Sequence, residues 1–134
     1  MITLTFLGLA FIILASISEA IMDKLQFHYH KCIFKQNPVK YNQSFWDASI
    51  SWQNKYKENS MTEPKFYGST TLFVFMTDAW HLFKFLRNVF LFIGLPLMSL
   101  GPINILISII VARVVYGLVF TYFFDKVLSI KQLK

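Results

Sequence analysis

The sequence has little of what the common sites of small soluble enzymes require. Its one cysteine, Cys32, excludes an intramolecular disulfide and any zinc cage built from two or more thiolates. The five glycines are not clustered, so there is no glycine-rich phosphate loop. Charged residues make up 15% of the 134 residues, whereas soluble domains carry about 25%. The apolar residues therefore decide the class of protein.

Hydrophobic residues make up 55% of the chain and form three long runs. The first covers about residues 2–22, and a helix of that length rises about 31 Å, enough to cross a hydrocarbon core. The second covers about 69–100 and the third about 103–124. We therefore predict an all-α membrane protein with three helical spans in a single membrane domain.

The second run allows two interpretations, because its uncharged part, 88–100, is only thirteen residues long. It predicts either one long tilted helix from about residue 70, or an interfacial helix followed by a short crossing. Gly94 and Pro96 are expected to kink or end the helix in both cases. Gly101 and Pro102 then predict a tight turn before the third span.

The distribution of lysine predicts the orientation of the spans. Residues 24–66 contain seven lysines and three acids, the turn at Gly101 has no charge, and the tail 125–134 has three lysines. The positive-inside rule then places the segment 23–67 and the C-terminus in the cytoplasm, and the N-terminus outside the cell membrane. Because no lysine or arginine precedes Lys24, we expect an uncleaved signal anchor.

The segment 23–67 is basic and rich in aromatic residues, which are scarce in disordered linkers, so we predict a partly ordered cytoplasmic segment. Because lysines flank the spans, we expect the net charge of +6 to interact with anionic membrane lipids, and we predict no nucleic-acid partner. Lys55 and Lys57 alternate with aromatic residues and predict a lipid-phosphate contact. An interfacial anchor of snorkelling lysines is the alternative.

Six carboxylate and imidazole residues form the main candidate site. They are Glu19, Asp23, His28, His30, Asp78 and His81. Glu19 and Asp23 are four residues apart and share a helix face. Asp78 and His81, three apart, do the same. If all six converge, they could hold a divalent metal such as Zn²⁺ or Fe²⁺.

The same residues also suit acid–base chemistry on a lipid headgroup, with Asp23, His28 and His81 as the candidate catalytic residues. Their spacing matches no established metal motif. A polar network that locks the helices together is therefore a further interpretation.

Arg113 lies near the centre of the third run. A cation at that depth costs about 2.5–3.5 kcal/mol on the insertion scale. We expect it to pair with Glu19 or Asp78, to line a water-filled path, or to snorkel toward the interface.

Three stretches carry a resemblance to a family. They are 21–28 (IMDKLQFH), 51–57 (SWQNKYK) and 77–81 (TDAWH). Together they resemble a group of small membrane proteins without an assigned activity, phage-borne ones among them. The resemblance covers roughly residues 20–85. It implies that these polar stretches act as one unit, and it carries over no site residue.

Three functions fit these observations. The leading hypothesis is a non-catalytic accessory subunit, joined to a larger membrane complex or to copies of itself, since Arg113 needs a partner. The alternative is a metal-dependent enzyme acting on a lipid headgroup at the cytoplasmic face. A holin-like membrane-permeabilising protein is a second alternative, although a simple lesion-former needs no ordered aromatic segment.

Overall fold

A computed structural model describes residues 2–58 and 60–130, and this part of the chain is all-α with no strand. The helices are α1 (Ile2–Phe27), α2 (Ile33–Gln36), α3 (Gln43–Trp46), α4 (Ala48–Ser51), α5 (Ala79–Ser99) and α6 (Ile105–Tyr122). A π-helical turn, Phe123–Val127, follows α6. Three helices are long and apolar enough to cross a membrane, namely α1, α5 and α6 with its π-helical extension. The predicted all-α fold with three spans is confirmed.

The first span extends beyond its predicted end. Helix α1 contains no proline to interrupt it and runs five residues past Met22, to Phe27. Its last two turns carry polar residues such as Asp23 and Lys24, which suits a helix that leaves the apolar region.

The second span begins later than predicted. Helix α5 starts at Ala79, and residues 67–73 form turns followed by a short 3₁₀ helix, Val74–Met76. Gly68 has φ +78°, a conformation that L side chains rarely adopt, and the turns that continue to residue 73 take the place of the predicted helix from residue 70. Neither Gly94 nor Pro96 ends the helix, which continues as one element to Ser99.

The chain divides into two compact units. Unit 1 comprises the described residues of Met1–Ala20 and Leu86–Val127. Its small core is built on Ile12, Met98 and Ala112. Gly8 allows the backbones to approach closely, because a Cβ there would lie 2.7 Å from the backbone nitrogen of Met98. Only 11% of the apolar window of α5 and of α6 is buried, so the rest needs an apolar solvent such as acyl chains.

Unit 2 comprises the described residues of Ile21–Phe85 and Leu128–Lys134. Phe34 and Trp46 stack with ring centroids 4.4 Å apart, and Tyr41 meets both rings edge-on. This aromatic cluster confirms that the middle segment is ordered. Helices α3 and α4 are capped by Asn42 and Asp47, whose side chains accept the amide hydrogens two residues on.

The described residues after the π-helical turn, 128–130, belong to unit 2 as well. The amide of Ile33 donates to the carbonyl of Leu128 at 3.0 Å, and the amide of Ile130 donates to the carbonyl of Lys31 at 2.9 Å. The buried Lys24 donates from Nζ to Ser129 Oγ at 2.7 Å. The described start of the tail is therefore paired with the segment that follows α1. The remaining tail, 131–134, lies outside the described residues.

Candidate functional site

Glu19 joins three helices within unit 1. Its carboxylate accepts from Arg87 Nη1 of α5 at 2.5 Å and from the hydroxyl of Tyr116 of α6 at 3.3 Å. The side chains of Glu19 and Arg87 are three-quarters buried. Ser16, one turn earlier in α1, donates to the carbonyl of Tyr116 at 2.6 Å. All three helices are thus connected by polar contacts at one level.

This network is of the helix-locking kind that the sequence predicted, but its members differ. Of the six candidate residues only Glu19 takes part, and its partners Arg87 and Tyr116 were not foreseen. The sequence does contain a signal for this pair. Glu19 is the first charged residue of the chain and lies in the first apolar run, and Arg87 is the last charged residue of the second run, so each needs a partner of opposite sign.

Asp78 and His81 form a second polar pair, in unit 2. Asp78 is 1% exposed and caps α5 by accepting the amide hydrogen of His81 at 2.9 Å. Its Oδ2 lies 2.6 Å from His81 Nδ1 and 3.0 Å from Thr77 Oγ1. The carboxylate orients the imidazole, so Nε2 is the ring nitrogen left for other chemistry.

This pair lines a pocket of about 270 Å³ in unit 2. Its walls are Gln26, Ala48, Ser49, Trp52, Asp78, Trp80 and His81. Lys84 places its Nζ 4.8 Å from the centroid of the Trp80 ring. An imidazole held by a carboxylate through Nδ1 can accept or donate a proton at Nε2. The pocket therefore combines aromatic walls with one group capable of acid–base chemistry.

The expected convergence of the six residues on one metal ion is not found. Throughout 2–58 and 60–130, no three His, Cys, Asp or Glu side chains come together in a way that could hold a metal. Glu19 is bonded to Arg87 and Tyr116, and Asp78 to His81. Asp23, His28 and His30 do not line the pocket of His81, and both His28 and His30 are exposed.

Lys55 and Lys57 have separate environments. Lys57 pairs with Glu63 at 3.0 Å on an exposed surface, whereas Lys55 lies over the Tyr56 ring with its Nζ 5.3 Å from the centroid. Lys57, but not Lys55, lines an open pocket of about 550 Å³ together with Lys65. The two lysines do not meet at one pocket, and their binding of lipid phosphate stays a prediction.

Arg113 is exposed on α6, and its expected partners are engaged elsewhere. Glu19 is bonded to Arg87, and Asp78 to His81. Within the part of the chain that the structure describes, no hydrogen bond or ion pair involves the Arg113 guanidinium. Its Nη1 lies 3.3 Å from the position that a Cβ on Gly117 would take, so the side chain extends along α6 toward the C-terminus.

Three groups of unit 2 have shifted pKa values, namely Tyr29, whose pKa burial raises, Cys32 and Asp47. Burial raises the pKa of the Cys32 thiol, which is 0% exposed, and backbone hydrogen bonds and Lys24 only partly oppose this. Burial also pushes the pKa of Asp47 upward, but hydrogen bonds from Ser49 and Gln43 outweigh it and leave that pKa below its usual value. Cys32 is therefore a protonated, buried thiol, which does not suit redox or acyl-transfer chemistry.

Comparison of the chain with protein-family models, curated proteins and solved structures finds no match.

Proposed function

We propose that this chain is a non-catalytic subunit of a membrane complex, which associates through α6 with a different membrane protein. The observation that carries the proposal is Arg113, the ninth of the eighteen residues of α6, exposed and without an ion pair among the described residues. A cation near the middle of a span is costly unless a carboxylate pairs with it or water hydrates it.

Snorkelling of the Arg113 side chain toward the interface compensates the cost of its charge only in part. Nine residues separate Arg113 from the end of α6 at Tyr122, about 13 Å at 1.5 Å per residue. The side chain does extend in that direction, beside Gly117, but it covers only part of the distance. A carboxylate on a neighbouring span would complete the compensation.

The chain's own acids favour a different protein over a second copy as that neighbour. Glu19 is bonded to Arg87 and Tyr116, and Asp23 is also engaged. Asp125 lies twelve residues beyond Arg113, in the exposed turn after α6. A second copy therefore has no unengaged carboxylate to offer at the depth of Arg113.

The pairing of the tail with residues 31–33 supports the proposed orientation. Because 128–130 and the segment after α1 belong to one folded unit, the two lie on the same side of the membrane. The lysines of 24–66 then favour the cytoplasm of the cell for both, with membrane lipids around α1, α5 and α6.

Photo-crosslinking tests the association. A photoreactive amino acid replaces Ile109, which is 53% exposed and one turn before Arg113, in the full chain in its native membrane. We expect an adduct with another protein that carries Asp or Glu in a span. The adduct should disappear in R113L and remain in R113K, because only the cation is required.

The matched control places the same probe at Leu118, which is 68% exposed. It lies about 140° around the helix from Arg113 at 100° per residue. Equal adducts at both positions would show general crowding and contradict the proposal. So would an adduct that persists in R113L, or one made of two copies of this chain.

The Asp78–His81 pair favours a second candidate function, acid–base chemistry on a lipid headgroup, with His81 Nε2 as the proton acceptor. Purified protein would be mixed with phospholipid vesicles and the headgroups followed by phosphorus NMR. Headgroup release that is lost in H81A supports this candidate. The control H30A changes an exposed histidine outside the pocket, and equal turnover in both variants and the unaltered protein would exclude His81.

A further inference from the structure

Residues 66–78, here called the pre-span segment, connect the middle of unit 2 to α5 and present apolar side chains outward. Tyr67 is 93% exposed, Leu72 73% and Met76 62%. These three residues share one property: each is a large apolar or aromatic side chain with little cover from the chain itself.

Hydrogen bonds fasten the pre-span segment to the rest of unit 2. Ser69 is 0% exposed and donates from Oγ to the carbonyl of Lys55 at 2.7 Å. Asn54 Nδ2 donates to the carbonyl of Thr77 at 3.0 Å. The segment that carries these exposed side chains is therefore held in place by hydrogen bonds to the rest of unit 2.

The backbone of the pre-span segment is incompatible with the hydrocarbon core. It is made of turns and one 3₁₀ helix, with Gly68 at φ +78°. Irregular backbone exposed to lipid does not occur in the hydrocarbon region, because its polar groups lack partners there. The segment must therefore lie where water can reach its backbone.

The side chains favour contact with lipid over full exposure to water. Tyr67, Leu72 and Met76 would each leave a large apolar surface in water that a bilayer surface could cover. Met76 stands only three residues before Ala79, where α5 begins. The 21 residues of α5 rise about 31 Å, so nearly all of them are needed to cross the hydrocarbon core. The start of α5 is thus close to the membrane boundary.

We infer that the pre-span segment lies in the membrane interface, with Tyr67, Leu72 and Met76 inserted among lipid headgroups and the first acyl carbons. The occupant of this surface is the lipid bilayer, since the segment joins a span directly and its aromatic rings suit headgroup depth. The segment thereby tethers unit 2 to the bilayer surface independently of any protein partner of α6.

Depth-dependent fluorescence quenching tests this inference on the full chain in phospholipid vesicles. An environment-sensitive fluorophore is attached to a cysteine at Tyr67 or Leu72. The buried Cys32 is replaced by Ala, or left in place if it proves unreactive. We expect a blue-shifted emission at both positions. Lipids with a nitroxide near the headgroup should quench it more strongly than lipids with a nitroxide near the chain end.

Val39 provides the matched control, because it is 97% exposed and apolar but lies in the turn after Asn37, away from the pre-span segment in sequence. Its fluorophore should be quenched by aqueous iodide and not by either lipid. Iodide quenching at Leu72 equal to that at Val39 would overturn the inference in favour of water. Stronger quenching by the deep nitroxide would place the segment in the core, and protection from every quencher would mean a protein covers it. A Val39 label at lipid depth would show that unit 2 is embedded without a special role for this segment.

Discussion

Replacing Arg87 by methionine would remove the one ion pair found among the described residues of unit 1. The Glu19 carboxylate would keep only the Tyr116 hydroxyl, at 3.3 Å. Removing one partner of a fully buried pair costs about 3–5 kcal/mol, since the other charge is left uncompensated. Because a quarter of each side chain is exposed, we expect a smaller loss in unfolding free energy, about 2–3 kcal/mol.

Unfolding by SDS in mild mixed micelles, followed by circular dichroism, measures this loss. R87M and E19Q should each unfold at lower SDS fraction than the unaltered protein. The double variant E19Q/R87M should recover much of the loss, because it leaves no unpaired charge. K57M is the matched control. It breaks the exposed pair with Glu63, which is worth about 0–1 kcal/mol.

Two results would refute this reasoning. If R87M and K57M unfold at the same SDS fraction, the Glu19–Arg87 pair contributes no more to stability than a surface ion pair does. If the double variant loses as much as the sum of the two single variants, Glu19 and Arg87 are not energetically coupled and the network does not connect the helices.

Three further predictions concern packing, pH and thiol reactivity. Gly8→Val should lower the unfolding free energy by about 1–3 kcal/mol through overpacking, whereas Gly117→Ala, which faces only the end of a flexible arginine, should be tolerated in the same SDS titration. The pKa of Asp47 is lowered, so the stabilisation that its cap gives α4 should be complete above the unfolded pKa, near 3.8. This stabilisation, and the helicity that depends on it, should be lost as pH falls through the lower folded pKa. D47N should not show this loss of helicity on acidification. Cys32 should resist maleimide in the folded protein and react after SDS unfolding, while a cysteine at Val39 should react at once.

The spans that were predicted well are those that the length of an apolar run is enough to identify. For α1 and α6 a lipid environment accepts any apolar face, so an uninterrupted apolar run is sufficient to predict a helix. The predicted start of α5 was wrong because the five residues 72–76, which are all apolar, lie just before the helix. The turns before α5 depend on local geometry, the positive φ of Gly68 and the cap at Asp78, which composition does not report.

The two polar pairs differ in whether their residues are close together in the sequence or far apart. Asp78 and His81 are three residues apart, so their contact was foreseen from spacing. Glu19 and Arg87 are 68 residues apart, and their contact depends on the rotation of α1 and α5 about their own axes. A single sequence states which charges need partners, but helix packing decides which partner each one finds.

The two arginines show how far that reasoning reaches. Both lie in apolar runs within unit 1, which has one carboxylate at span depth, Glu19, to balance them. The excess of one positive charge is visible from residue types, but only the packing shows which arginine is left over. Arg87 reaches Glu19 at 2.5 Å, and Arg113 extends beside Gly117 on the exposed face of α6. Substitution of Arg87 should therefore affect stability, whereas substitution of Arg113 should leave the fold intact and affect what the protein binds.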